Sequence, residues 1–175
     1  HPLGKAPVIT DGDTTLAESG AILEYLSAVY GGGRFTPAAG TPEWLHYTYF
    51  MHYAEGSLMP LLFMKLVFGK LPERVPFLMR PVARAISGGA DKTLLAPQIS
   101  NHFAFLEGEL HKREWFAGAS FSAADIQMSF PLEAAAARSP LFARLPKLKA
   151  FVDRIQARPA YKRAVEKGGH YEILK

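Results

Sequence analysis

The junction between a predicted β-hairpin and a predicted helix holds the residues best suited to bind a small molecule. Glu18 and Ser19 stand where the helical pattern begins. The first amides of a helix have no partner within it and lie at the positive end of its dipole, so a serine there can bind a carboxylate through its N–H and its hydroxyl. Glu18 can accept hydrogen bonds from an ammonium group. The pair predicts a site for an amino-acid head group, and the alternative is that either residue only caps the helix.

A second candidate feature is the run Lys5-Ala6-Pro7, directly before the hairpin. A proline that opens an edge strand leaves the preceding backbone groups available to pair with an extended ligand. A cis bond before Pro7 would aim those groups. Only about 5–6% of X-Pro bonds in folded proteins are cis, so the sequence leaves the isomer open.

These candidate residues depend on a short hairpin followed by one helix. Two β-tending runs, residues 7–10 and 14–17, flank an Asp-Gly turn, and residues 18–30 carry apolar side chains at helical spacing until three glycines end the pattern. A two-stranded hairpin covered by one helix is marginal in water. We therefore expect that further strands and a helix of a small α/β domain precede His1, or that a partner supplies them.

The rest of the chain predicts an all-helical bundle of five or six helices. A Pro/Gly/Ala-rich linker, residues 34–41, leads to a long helix over residues 43–68 that bends or breaks at Pro60. Further helices are predicted over residues 71–89, 92–114, 122–137, 146–157 and 159–166. The strongest helical pattern is a stripe of five apolar residues at steps of three and four: Leu95, Ile99, Phe103, Leu106 and Leu110. The predicted fold class is α+β and mostly α.

Composition excludes several classes of function. The 175-residue chain has 20 Lys and Arg against 16 Asp and Glu, a formal net charge of +4, and no cysteine. The lack of cysteine excludes a disulfide scaffold, a thiolate metal site and a cysteine nucleophile within this sequence, and it fits a reducing cytoplasm. The basic residues are scattered, which disfavours nucleic acid as a partner. No run approaches the roughly 20 apolar residues of a membrane crossing, so no membrane span is predicted.

Two other groups of polar residues have a structural interpretation. None of the six histidines forms a His-x-x-x-His pair, so no metal is predicted. Ser122 and Asp125 stand before an apolar run as a variant of the capping box, with Phe121 and Ile126 as a hydrophobic staple. This pattern favours a role in starting a helix over a role in catalysis.

Three motifs, in this order and spacing, resemble the glutathione S-transferase superfamily. They are residues 2–9 (PLGKAPVI), residues 16–22 (LAESGAI) followed by Tyr25-Leu26, and residues 121–126 (FSAADI). Residues 49–60 (YFMHYAEGSLMP) are similar to the bacterial and fungal branch typified by a yeast transferase associated with the endoplasmic reticulum. The resemblance covers nearly the whole chain. It implies the C-terminal part of a thioredoxin-like glutathione-binding domain over residues 1–33, a linker over 34–41 and an all-α domain over 42–175, in a homodimer. The predicted location is cytoplasmic, in agreement with the lack of cysteine.

The resemblance also implies how glutathione, the co-substrate, is bound. Pro7 matches the family's cis-proline, and Ala6 matches the backbone that pairs with the cysteinyl part of glutathione. Lys5 matches a polar position that touches the peptide's main chain or its glycyl carboxylate. Glu18 and Ser19 match the acidic-Ser pair that holds the γ-glutamyl head. No metal is implied.

No residue of this sequence is assigned the catalytic role. The family's activating Ser, Tyr or Cys lies near the start of the thioredoxin-like domain and matches no residue of this sequence. Its role is to lower the pKa of the glutathione sulfur, so that the thiolate attacks a small hydrophobic electrophile or a peroxide. The long helix would line the electrophile pocket. Tyr49, His52 and Glu55 are the candidates because they recur at three-residue steps, and core packing is the alternative role for the aromatic residues.

Three hypotheses follow. The first is a glutathione transferase that detoxifies small hydrophobic electrophiles or reduces peroxides. The second is a non-catalytic relative that acts as a protein-interaction or stress factor, and the presence of Glu18 and Ser19 favours the first over it. The third is nucleic-acid binding through the basic surface, which predicts a steep dependence on salt concentration.

Overall fold

The computed structural model describes residues 2–4 and 6–169, so Lys5 of the predicted site lies outside the described residues. The described elements are β1 (Val8–Asp11), β2 (Thr14–Ala17), α1 (Ser19–Val29), α2 (Pro42–Tyr53), α3 (Met59–Arg74), α4 (Arg80–Ala90), α5 (Ala96–Lys112), α6 (Ala123–Arg138), α7 (Pro146–Ala157) and α8 (Pro159–Gly168). The predicted fold class, α+β and mostly α, is confirmed.

The strands β1 and β2 form the predicted antiparallel hairpin, with Val8 opposite Ala17. The far end of the hairpin is tied to α1 through Asp11. Tyr25 donates a hydrogen bond to the Asp11 carboxylate at 2.9 Å, and Tyr30 donates to the same oxygen. Hydrogen bonds from Tyr30 and Tyr25 hold the pKa of Asp11 below its usual value. The hairpin and the helix that follows it are therefore one connected unit.

The helix predicted over residues 43–68 is divided, and the division comes just before Pro60, where a bend or break was predicted. A π-helical turn, Ala54–Leu58, separates α2 from α3. Pro60 lies in the first turn of α3, two residues after the π-helical turn ends, at a position where a helix tolerates proline. α3 also continues beyond the predicted end to Arg74. The described chain consequently has seven α-helices after the linker, where five or six were predicted.

The predicted apolar stripe is confirmed as a buried helix face. All five of its residues are at most 5% exposed. A second π-helical turn, Asp91–Leu95, precedes α5, so the regular helix starts at Ala96. The helix predicted over residues 71–89 is instead divided among the end of α3, a short 3-10 helix at Phe77–Met79, and α4.

The chain forms two compact units. One is His1–Ala54 with Arg113–Phe130, and the other is Glu55–Lys112 with Pro131–Lys175. In the first unit the rings of Phe50 and Phe116 pack with centroids 4.6 Å apart, and in the second those of Phe103 and Phe142 lie 5.9 Å apart. Each unit therefore has its own aromatic packing. The domain boundaries at residues 33 and 42 stay a prediction.

Among the described residues, no helix is long and apolar enough to cross a membrane.

Candidate functional site

The hairpin register gathers the described residues of the predicted site at one end. β1 begins at Val8, opposite Ala17, so the residues just before β1 and those just after β2 lie at the same end. These residues are Ala6 and Pro7 on one side and Glu18 and Ser19 on the other. The Ala6–Pro7 peptide bond is cis, and both residues are exposed.

Glu18 connects the strand to the helix in a backbone conformation that residues with a side chain rarely adopt. Its φ is 73° and its ψ is 119°. A residue with a Cβ in such a region costs on the order of 1–3 kcal/mol, which the surrounding structure must offset. Glu18 is exposed, and its side chain makes no capping hydrogen bond to α1. Its carboxylate is thus held at the helix start without serving as the cap that was the alternative prediction.

Ser19 opens α1 and presents hydrogen-bond donors. The first amide to bond back along the helix is that of Ile22, which donates to the Glu18 carbonyl at 2.9 Å, so the amides of residues 19–21 have no carbonyl partner within the helix. The Ser19 hydroxyl accepts a hydrogen bond from Gln127 Nε2 at 3.3 Å. No described residue accepts the proton of that hydroxyl. This arrangement suits an anion.

The start of α6 is satisfied by the chain itself. The Asp125 carboxylate accepts hydrogen bonds from the Ser122 amide at 2.8 Å, the Ser122 hydroxyl at 2.9 Å and the Phe116 amide at 2.8 Å. The predicted reach of Asp125 back to Ser122 is present, but the Ser122 hydroxyl donates to the carboxylate, where it was predicted to cap the helix. Asp125 is fully buried. Burial raises its pKa to about 6, although the hydrogen bonds oppose that rise.

The start of α7 illustrates what a carboxylate does at open helix amides. The two carboxylate oxygens of Glu107, on α5, each accept one amide hydrogen bond, from Lys147 and from Leu148, at 2.9 Å. Two consecutive amides of a helix start thus bind one carboxylate in two-pronged fashion. The amides of residues 19–21 offer a ligand the same kind of contact.

Within the described residues, each compact unit has a cavity. The first, of about 520 Å³, lies between residues 33–43, which include the linker, and the loop of residues 117–122. The second, of about 340 Å³, lies between α6 and α7. Tyr49, His52 and Glu55 line neither of them.

The three candidates for the electrophile pocket do not share one regular helix. Tyr49 and His52 are exposed on α2, whereas Glu55 is exposed in the π-helical turn. A π-helical turn is wider than an α-helical one, so a three-residue step across it does not ensure a common face. The electrophile pocket stays a prediction. No group of three or more acidic or histidine side chains that could hold a metal occurs in the part of the chain that the structure describes.

Gln127 is the polar neighbour of the site that sequence reasoning missed. It lies on α6, 108 positions after Ser19, and is only 4% exposed. The available signal was an uncharged polar residue between the apolar residues Ile126 and Met128, two positions after Asp125. That signal identifies a buried polar group but not its partner.

Comparisons with known proteins agree with this architecture. Residues 59–159 match the family model of the glutathione S-transferase C-terminal domain, and residues 1–28 match that of the N-terminal domain. Glutathione S-transferase 3 of Schizosaccharomyces pombe is 32% identical over 168 residues, which are 95% of this chain and 69% of that protein. Glutathione S-transferase 1 of Saccharomyces cerevisiae is 31% identical, over 77% of this chain and 61% of that protein.

Solved structures of glutathione S-transferases are also similar to this chain. A glutathione S-transferase from Actinobacillus pleuropneumoniae superposes with a TM-score of 0.72 at 28% identity, covering 99% of this chain and 77% of its own. A sphingomonad glutathione S-transferase complexed with glutathione superposes with a TM-score of 0.70 at 27% identity, covering 97% and 77%. The chain belongs to the glutathione S-transferase family.

Proposed function

We propose that the protein is a glutathione transferase and that glutathione binds at the end of the hairpin where Ala6, Pro7, Glu18 and Ser19 lie. The observation that carries the proposal is the start of α1, where open amides and the Ser19 hydroxyl proton adjoin an exposed carboxylate at Glu18. The γ-glutamyl group of glutathione has one carboxylate and one ammonium on the same carbon. The carboxylate binds at Ser19 and the ammonium at Glu18.

The remaining contacts are assigned by the family resemblance. The backbone of Ala6, before Pro7, pairs with the cysteinyl part of glutathione, and Lys5 approaches the peptide's main chain or its glycyl carboxylate. The sulfur, once ionised, attacks a small hydrophobic electrophile, or is oxidised as it reduces a peroxide. The Ser, Tyr or Cys that lowers the pKa of the sulfur matches no residue of this sequence. Tyr49, His52 and Glu55 remain the candidates for contact with the electrophile.

The cellular setting is part of the same proposal. The absence of cysteine and the family resemblance support a cytoplasmic protein that detoxifies electrophiles, within the branch typified by the yeast transferase associated with the endoplasmic reticulum. A homodimer is supported by large apolar side chains exposed on α3 and α4, Phe63 at 59% and Ile86 at 57%. Sedimentation equilibrium gives the subunit number, and a monomer at micromolar concentration would contradict the dimer.

The test is calorimetric titration of glutathione into the full gene product and into the 175-residue chain, beside a conjugation assay with a chromogenic aryl halide. The full gene product is expected to bind and to turn over. Ser19→Ala should weaken binding at least tenfold, while Ser100→Ala, the same change at an exposed position on α5, should leave it unchanged. Absence of binding by the full gene product would overturn the transferase proposal and favour an interaction protein on the same fold.

A further inference from the structure

We propose that Gln127 is a positioning residue for glutathione, because its hydrogen bond to Ser19 directs the Ser19 hydroxyl proton toward the γ-glutamyl carboxylate. This inference rests on the proposed glutathione site. It adds to that site a residue from α6 that is 108 positions away from Ser19 in the sequence.

The contact brings a buried amide to the start of α1. Gln127 is 4% exposed, and its Nε2 lies 3.3 Å from Ser19 Oγ. A Cβ placed on Gly20 would lie 3.9 Å from the same nitrogen, so the amide rests against the first turn of the helix. A buried amide group is costly unless it is hydrogen-bonded, so the fold favours retention of this contact.

The direction of the hydrogen bond determines what Ser19 offers to a ligand. A serine hydroxyl has one proton and two lone pairs, whereas an amide nitrogen can only donate. When Gln127 donates to a lone pair of Ser19 Oγ, the hydroxyl proton must point elsewhere. None of the described residues accepts it. With the open amides of residues 19–21 beside it, the complementary acceptor is a carboxylate.

The first turn of α6 holds Gln127 in place. Asp125, two positions earlier, is fully buried and binds the amides of Phe116 and Ser122 at 2.8 Å. The Ala123 amide also donates to the Phe35 carbonyl at 2.9 Å. A helix start tied at several points places a residue in its first two turns reproducibly. The capping box thereby serves the binding site as well as the fold.

The test is Gln127→Glu, which keeps the size of the side chain and replaces a donor with a group that, when ionised, only accepts. The Ser19 proton then turns to the new carboxylate, which also repels the ligand's own carboxylate. The Kd of the full gene product for glutathione is expected to rise at least tenfold at pH 7. Gln98→Glu, the same change at an exposed position on α5, should leave the Kd unchanged.

A second ligand separates positioning from a general loss of structure. The tripeptide analogue 4-aminobutyryl-Cys-Gly lacks only the γ-glutamyl α-carboxylate. Gln127→Glu should change its Kd less than twofold, and should have little further effect on glutathione binding once Ser19 is replaced by alanine. If Gln127→Glu does not fold, Gln127→Leu takes its place, with a rise of about threefold for glutathione and none for the analogue expected.

The outcomes distinguish this inference from the proposal beneath it. If the unaltered protein does not bind glutathione, the proposed function fails. If it binds, and Ser19→Ala weakens binding while the Gln127 variants leave it unchanged, the proposed function stands and the positioning role is wrong. Equal weakening of glutathione and its analogue by the Gln127 variants also overturns the positioning role.

Discussion

The helices α1 and α6 begin with similar residues, but the protein's own groups satisfy the hydrogen-bonding groups at the start of α6 and leave those at the start of α1 available. Each start has a serine and an acidic residue, Ser19 with Glu18 and Ser122 with Asp125. The Asp125 carboxylate is fully buried and accepts three hydrogen bonds from its own chain. Glu18 is exposed and makes no capping bond. A helix start whose donors are satisfied by the protein belongs to the fold, and one that still presents donors can bind a ligand.

The largest expected effect comes from removing the Asp125 carboxylate at the start of α6. Asp125→Ala leaves the Phe116 amide, the Ser122 amide and the Ser122 hydroxyl without their acceptor in a buried place. Each buried donor without a partner costs about 1–3 kcal/mol, so the free energy of unfolding should fall by about 4 kcal/mol. Urea unfolding of the wild type and of Asp125→Ala measures this change in the free energy of unfolding. A loss below about 1 kcal/mol would show that the α6 start does not depend on this carboxylate.

The pH dependence of stability tests the same buried carboxylate with a substitution that keeps the size of the side chain. Burial raises the pKa of folded Asp125 to about 6, above the ordinary 3.8. The folded state therefore holds the proton more tightly, and the stability that this provides is complete below pH 3.8 and disappears as the pH rises through 6. Asp125→Asn does not titrate. The stability difference between the wild type and this variant should shrink by up to about 3 kcal/mol from pH 4 to 7.

Urea unfolding of both proteins at pH 4, 5, 6 and 7 gives that difference directly. Asp153→Asn, an exposed aspartate on α7, is the control and should show no comparable trend. A difference that is flat with pH, or that grows as the pH rises, would contradict the raised pKa.

The two serines should separate binding from stability. Ser19→Ala removes a hydrogen bond to a charged ligand, about 1.5–3 kcal/mol, so affinity for glutathione should fall roughly tenfold to a hundredfold with little change in stability. Ser122→Ala should lower the free energy of unfolding by about 1 kcal/mol, because it removes the hydrogen bond from the Ser122 hydroxyl to Asp125. It should change the Kd less than threefold, because the amides of Ser122 and Phe116 still bind Asp125. Matching effects from the two variants would remove the contrast between the helix starts.

The smallest expected effect concerns the backbone of Glu18. Glu18→Gly allows a φ of 73° without a Cβ, and the gain is partly offset by the greater freedom of glycine in the unfolded chain. Stability should rise by about 1 kcal/mol or less, while loss of the partner for the ligand's ammonium weakens glutathione binding by about fivefold or less. Glu18→Gln should also bind glutathione more weakly, but without the gain in stability. Thermal melting measures the stability of both variants and calorimetry measures their affinity for glutathione. A lower melting temperature for Glu18→Gly would contradict backbone strain at residue 18.

Local patterns predicted the elements that carry the site. The Asp-Gly turn between two β-tending runs predicted the hairpin, and the hairpin is present with Val8 opposite Ala17. The five-residue apolar stripe predicted a buried helix face, which is confirmed. The position of Ser19 at a helix start was also correct. These features depend on side-chain periodicity and turn chemistry over a few residues, which a sequence displays directly.

The breaks in the helices were predicted less well. A bend or break was predicted at Pro60, whereas the interruption is the π-helical turn Ala54–Leu58, and Pro60 lies in the first turn of the next helix. A π-helical turn adds one residue to a helical turn and has no residue of fixed type to announce it. Proline, in contrast, is visible in the sequence but has two meanings, a kink within a helix or a favourable first turn.

Neighbouring residues are sufficient to set the hairpin, the helix that follows it and the open amides at Ser19. Only the tertiary structure brought Gln127 to Ser19 across 108 positions and buried Asp125 deeply enough to raise its pKa to about 6. Hydrogen bonds between distant segments and the loss of water around a carboxylate depend on which helices pack together. That packing is a property of the folded chain as a whole, and no short motif contains it.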